Sequence, residues 1–215
     1  KATVGIDFKA NLLQRTQLYG QLAISEFVWK EIKNYSRGSW MNKQALQLGA
    51  KYIDAAGIKN LDVQVEMNLV RPFMYSHNDS NTAFVHYNKE LAHPLGANFA
   101  EYIVLLKYQP VARLYLSGKL MYYKQGLDSI GQNMGNDLFR SYLSRPRDYG
   151  FHIGTGIPAK QLLLSFFASY ELLQNLYIDP NIAKRNYNVQ EQPNQGEFFF
   201  TTGIRWNIGK RAFEF

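Results

Sequence analysis

The side chains best suited to chemistry gather between Arg71 and Phe99. Three of the four histidines, His77, His86 and His93, stand there near Asp79 and Glu90. Imidazole and carboxylate together can ligate a metal, but separations of nine and seven residues match no helical or hairpin ligand pattern. The histidines therefore read as hydrogen-bonding groups of a folded loop able to contact a ligand, with Arg71 at its entrance. Pro72 and Pro94 fix where that loop begins and ends, and Gly96 permits a tight turn before the next element. A second basic cluster holds Arg140, Arg145 and Arg147. Guanidinium forks match phosphate and carboxylate, so these three could grip an acidic polymer, unless internal pairing occupies them. Tyr35 and Trp40 could stack on sugar rings, or fix their own loop onto a rim.

No catalytic constellation accompanies these residues. Ser76 and His77 are adjacent but lack a nucleophile-elbow setting. Gly154 and Gly156 end an expected strand with no helix following, so they are not a phosphate loop. The absence of cysteine removes disulfides, thiolate metal sites and cysteine nucleophiles together. The chain reads as non-enzymatic, with no catalytic residue, metal or cofactor expected.

Long alternating stretches must position these loops. Val4, Ile6, Phe8, Ala10 and Leu12 alternate with Asp7, Lys9 and Asn11. Val63, Val65, Met67 and Leu69 alternate with Asp62, Gln64, Glu66 and Asn68, and Leu114, Leu116, Leu120 and Tyr122 continue the pattern. Period-two alternation sends the two sets to opposite faces of a strand. Held for ~9–11 residues, it fits a tilted strand crossing a bilayer within a closed barrel. The expected strands are 2–13, 16–28, 44–55, 60–71, 99–109, 111–124, 148–157, 161–177 and 197–208. Their connectors alternate between short turns and long loops, the long ones covering 29–43, 72–98, 125–147 and 178–196. Outer-membrane barrels alternate periplasmic turns and external loops in this way.

The expected fold is therefore all-β: an antiparallel transmembrane outer-membrane β-barrel, with residues 1–215 forming one barrel region. Nine strands is an odd number, whereas single-chain bacterial barrels are even. The chain thus reads as the C-terminal portion, about half, of a longer protein with a larger barrel. Phe213 and the terminal Phe215 resemble the end signal of such barrels. No basic and apolar leader stands at Lys1, so any export signal is expected to have been removed or to lie outside this chain. A lysine or arginine facing lipid would cost ~2–4 kcal/mol at mid-membrane, so the charged faces must line the lumen.

Composition agrees. With 46% hydrophobic residues and 15% aromatic, no run approaches the ~18 apolar residues of a helical span. The charge of +7 is dispersed and no nucleic-acid-binding motif accompanies it, so nucleic acid is not an expected partner. Membrane lipid, lipopolysaccharide or an acidic polysaccharide suits a basic surface barrel better.

Three segments carry a family resemblance: Arg71-Pro-Phe-Met-Tyr-Ser-His77, His86-Tyr-Asn with Leu91 to Phe99, and Arg145-Pro-Arg-Asp-Tyr-Gly150. They resemble motifs of the RemB-like gliding-motility outer-membrane proteins, distant relatives of the Wzi capsule-assembly barrels. The resemblance implies a location in the bacterial outer membrane and a role in gliding motility, adhesion or exopolysaccharide attachment through the long external loops. A transport or pore-forming channel, or a subunit of a larger outer-membrane complex, is the alternative expectation.

Overall fold

The computed structural model describes residues 3–26, 28–79, 82–87 and 89–208. The strands in chain order are β1 (Val4–Leu12), β2 (Thr16–Glu26), β3 (Lys43–Tyr52), β4 (Leu61–Val70), β5 (Val85–His86), β6 (Lys89–Glu90) and β7 (Phe99–Val111). They continue with β8 (Leu114–Leu127), β9 (Ile157–Leu173), β10 (Leu176–Ile178), β11 (Asn181–Val189), β12 (Gln195–Thr201) and β13 (Ile204–Trp206). A short helix α1 (Trp29–Lys33) stands in the first long loop. The fold is all-β, and every strand pairing is antiparallel.

Eleven strands make one continuous sheet, and β5 with β6 form a separate hairpin. Neighbours in sequence are neighbours in space, from β1 through β4, across to β7, and on to β9. β10 and β11 together form one interrupted row along β9, and β12 and β13 form the next row beside them. The break coincides with Pro180, which has no N–H to give a ladder. Asp179 bridges it: its N–H donates to the Gly203 carbonyl (2.9 Å), while its carboxylate accepts from Ser169 Oγ (2.6 Å) and Arg205 Nε (2.8 Å). The sheet is open. Among the described residues, β1 and the β12/β13 row each have one unpaired edge.

Register sorts the side chains into two faces. Across five strands, Phe8, Gly20, Leu48, Met67 and Tyr102 stand directly opposite one another, and the row goes on through Tyr122 and Leu162. One residue away, Gln21, Gln47, Asn68, Glu101 and Tyr123 make the matching row on the other face. A one-residue slip would exchange these faces, so the alternation itself fixes the register. Large residues of the apolar face stay open to the surroundings: Phe8 at 50%, Val65 at 45%, Phe166 at 50% and Phe198 at 68%. On β9 this face runs from Leu162 to Leu172, about 33 Å along the strand at ~3.3 Å per residue.

Two expectations are corrected. Of the expected strand 148–157, only Ile157 is strand, as the first residue of β9; residues 148–156 are loop. Gly150, Gly154 and Gly156 hold φ of +81°, +90° and +120°, left-handed values outside the strand region, and Phe151 turns inward to full burial. His152, expected on that strand, lies in a loop, its N–H donating to Thr155 Oγ1 (2.9 Å). Conversely, the expected loop 178–196 is largely strand, because β11 is paired on both sides. The sheet therefore still has nine rows, but not the same nine. The terminal Phe213 and Phe215 lie outside the described residues.

The packed core lies in the loops. Met74, Ala97, Phe99 and Leu138 cluster with Ala45 and Val70 at the strand ends, and Phe73, Met134 and Phe151 form a second cluster under Trp40 and Tyr142. Phe73 meets Phe151 edge-on at 4.9 Å. Burying each such side chain is worth ~1.5–3 kcal/mol, so this cap holds itself together.

Candidate binding site in the loop cap

Three long loops, 28–42, 71–98 and 128–156, converge at one end of the sheet. Arg71 joins them. It is 3% exposed, donating from Nε to the Asn42 carbonyl (2.7 Å) and from Nη2 to the carbonyls of Ser39 (3.3 Å) and Phe151 (2.9 Å). Its guanidinium also lies 4.7 Å from the Tyr35 ring centre. Asn98, which sequence reasoning missed, is a second tie. Held at φ +60° and fully buried, it donates from Nδ2 to Gly126 O (2.8 Å) and Thr155 O (2.7 Å), and accepts the Gly154 N–H (2.8 Å). Nothing in a lone Asn-Phe dipeptide signals that it binds a loop nearly sixty residues away.

The expected ligand residues divide into inward and outward sets. Trp40 packs 4.9 Å from Tyr142, with Lys43 Nζ over both rings at 4.7 and 4.0 Å. Lys43 is fully buried and paired to Glu26 at 2.9 Å. Arg145 stacks on Trp40 at 4.0 Å and pairs with Asp148 at 2.7 Å. Arg140 pairs with Asp128 at 3.2 Å. Burial pushes the Asp128 carboxyl up, while the N–H groups of Met134 and Asn136 and the Arg140 guanidinium pull against it. Trp40, Arg71, Arg140 and Arg145 thus hold the cap, and the structure does not gather the three arginines into one anion grip.

The histidines also separate. His93 Nδ1 accepts the Leu95 N–H (3.2 Å), which leaves Nε2 to donate to Glu101 on the polar face (3.1 Å). From Glu101 the polar face continues as one hydrogen-bonded chain. Asn68 donates to Glu101 (2.9 Å) and Glu66 (3.0 Å), Tyr19 donates to Glu66 (2.6 Å), and Gln64 to Tyr19 (2.8 Å). His77 accepts the Asp79 N–H (3.3 Å), contacts the Thr82 hydroxyl, and meets Tyr142 edge-on at 6.1 Å. His86 stands on the exposed β5/β6 hairpin against Tyr87 at 4.2 Å.

Comparison with protein-family models finds no match. Nor does comparison with curated proteins.

The outward set forms a different surface. Tyr35 and Arg147 are exposed, as the sequence suggested, and two residues it did not single out join them. The Arg37 guanidinium stacks on exposed Tyr149 at 4.1 Å, held there because Gly150 N–H donates to the Arg37 carbonyl (2.9 Å). Exposed Trp29 carries Lys33 at 5.4 Å on the same loop. Flat rings interleaved with cations are suited to sugars that bear carboxylates.

Proposed function

We propose that this chain is part of a closed outer-membrane β-barrel that is non-enzymatic and acts at the cell surface. Its polar face lines the lumen, and its cap engages an acidic polysaccharide. The carrying observation is one sheet with chemically opposite faces, whose apolar face stays uncovered while the buried hydrophobics collect in the loops. Hydrocarbon is the medium in which such a face needs no covering. The β9 face supports this: ~33 Å along a strand tilted by about 40° rises ~25 Å, the height of an outer-membrane apolar band. The two unpaired edges call for further strands to close the barrel, which agrees with a larger whole. The resemblance to RemB-like and Wzi proteins points the surface role toward gliding motility, adhesion or capsule attachment.

Gel mobility of the full-length protein from outer membranes tests the barrel. A fast band that slows on boiling is expected, and a band indifferent to boiling in the soluble fraction would overturn it. For the polymer, the variant Arg37→Gln/Arg147→Gln is expected to bind polygalacturonate roughly tenfold less, at ~0.7 kcal/mol per lost contact, with gel mobility unchanged. Equal retention of both proteins on a polygalacturonate column would sink that assignment.

A further inference from the structure

Register places charged side chains on the apolar face at three described positions, and all are lysines: Lys124, Lys160 and Lys184. Lys124 and Lys160 stand directly opposite on β8 and β9. Their Cα atoms are therefore about 5 Å apart, and like charges so placed repel. Both are exposed. Both also lie at the cap-side end of the apolar stretch, one position pair beyond Tyr122 and Leu162. No acidic residue shares this face among the described strands, so neither lysine is neutralised there. Lys184 lies on the next row, beside Leu164 and Phe198. An anion between Lys124 and Lys160 would turn the repulsion into attraction.

What lies beside the lysines is apolar. Lys124 Nζ sits 6.0 Å over the Tyr122 ring, and Tyr122 opens the row that continues through Tyr102, Met67, Leu48 and Gly20 to Phe8. Along this row runs a groove of about 490 Å³, lined by Tyr102, Met67, Leu48 and Phe8, with Val65 and Leu18 alongside. That volume is within the ~300–1,000 Å³ of small-molecule sites. Gly20 lets Phe8 and Leu48 close over the backbone at one end of it: a Cβ there would come within 2.6 Å of the Phe8 ring, 2.8 Å of Leu48 and 2.9 Å of the Gln47 carbonyl. From Tyr102 to Phe8 the row crosses four strand spacings, about 19 Å, so the groove is long enough for much of an acyl chain.

A cationic pair at one end and an apolar trough leading away from it match a molecule with an anionic head and a hydrocarbon tail. We propose that this face holds one anionic membrane lipid, its phosphate between Lys124 and Lys160 and one acyl chain along the row from Tyr102 to Phe8. This rests on the membrane reading above and deepens it from a general lipid contact to a defined site. A free phosphate would use the lysines and leave the trough empty, and a neutral lipid would do the reverse.

The test uses the full-length protein extracted in a mild uncharged detergent, with bound lipid counted by native mass spectrometry. Added phosphatidylglycerol should be retained, at about one per chain, and diacylglycerol should not. In Lys124→Gln/Lys160→Gln, retention should fall at least tenfold. In Val65→Trp, which puts a bulky ring into the trough and leaves the lysines intact, it should fall comparably. Equal retention by the wild type and the double lysine variant would overturn the site, as would displacement of the lipid by an equal concentration of inorganic phosphate. The heat-dependent gel shift separates the failures. With the shift present and retention equal, the lipid site alone fails; without the shift in the wild type, the membrane reading fails and takes the site with it.

Discussion

Replacing Arg71 with leucine is expected to release the cap from within, at a cost of about 4 kcal/mol. The guanidinium satisfies the carbonyls of Ser39, Asn42 and Phe151, which belong to two different loops. A hydrogen bond to a charged group contributes ~1.5–3 kcal/mol, and acceptors left buried without a donor lose their hydration as well. Leucine fills much of the volume, so the loss measures the bonds rather than a cavity. Hydrogen exchange reads it directly: amides of 38–42 and 150–152 should open, while β7, β8 and β9 stay protected. Arg71→Lys is expected to recover less than half, because one ammonium on a flexible stem cannot reproduce the planar fork. Unchanged exchange in the leucine variant would mean that Arg71 does not hold the loops together.

The second large effect comes from a substitution of one atom. Asn98→Asp keeps the size, the left-handed tolerance and the acceptor that meets the Gly154 N–H. It removes the Nδ2 donor and points a carboxylate at the carbonyls of Gly126 and Thr155, at a fully buried position. The expected cost at neutral pH is about 4 kcal/mol, that of a buried polar group facing its own kind. The pH dependence distinguishes this from general damage. Burial among carbonyls raises the folded-state pKa of the introduced carboxyl above its unfolded value of ~3.9. The folded protein then binds more protons, so stability is highest below that value and is lost as pH rises through the folded pKa. Proteolysis of the 128–156 loop should therefore be slow in acid and fast at neutrality for this variant. A pH-independent rate would refute the placement of Nδ2 among those carbonyls.

Much of the sheet was legible because alternation is a local signal. β1, β4 and β8 follow the apolar spacing of Val4 to Leu12, Val63 to Leu69 and Leu114 to Tyr122. β11 was hidden by its composition: Asn181, Lys184, Arg185, Asn186 and Asn188 look like a loop until their neighbours are known. Arg185 is satisfied across the ladder by Glu197 at 2.7 Å, and Lys184 projects from the apolar face between Leu164 and Phe198. The opposite error at 148–157 falls where Gly150, Gly154 and Gly156, not the side-chain pattern, set the backbone. The cap was legible only as a set of residues. The sequence marked Arg71, Trp40, His93 and Arg145 as special, but which of them face inward depends on how three loops meet. That information is long-range: Arg71 reaches Phe151, and Asn98 reaches Thr155. Arg37 and Tyr149 escaped notice for the same reason, since they meet through a backbone bond between distant loops.

The placement of the hydrophobic core in the loops also governs how this protein responds to temperature. The heat-capacity change of unfolding scales with the apolar area withdrawn from water, at ~0.45 cal/mol/K per Å². Here the fully buried apolar side chains are few: Phe73, Met74, Phe99, Leu138 and Phe151 are the largest, and all belong to the cap or its junction with the strands. On the membrane reading proposed above, the apolar face of the sheet stays in hydrocarbon, so only the cap exchanges apolar area with water and the stability of a chain of 215 residues should change little on cooling.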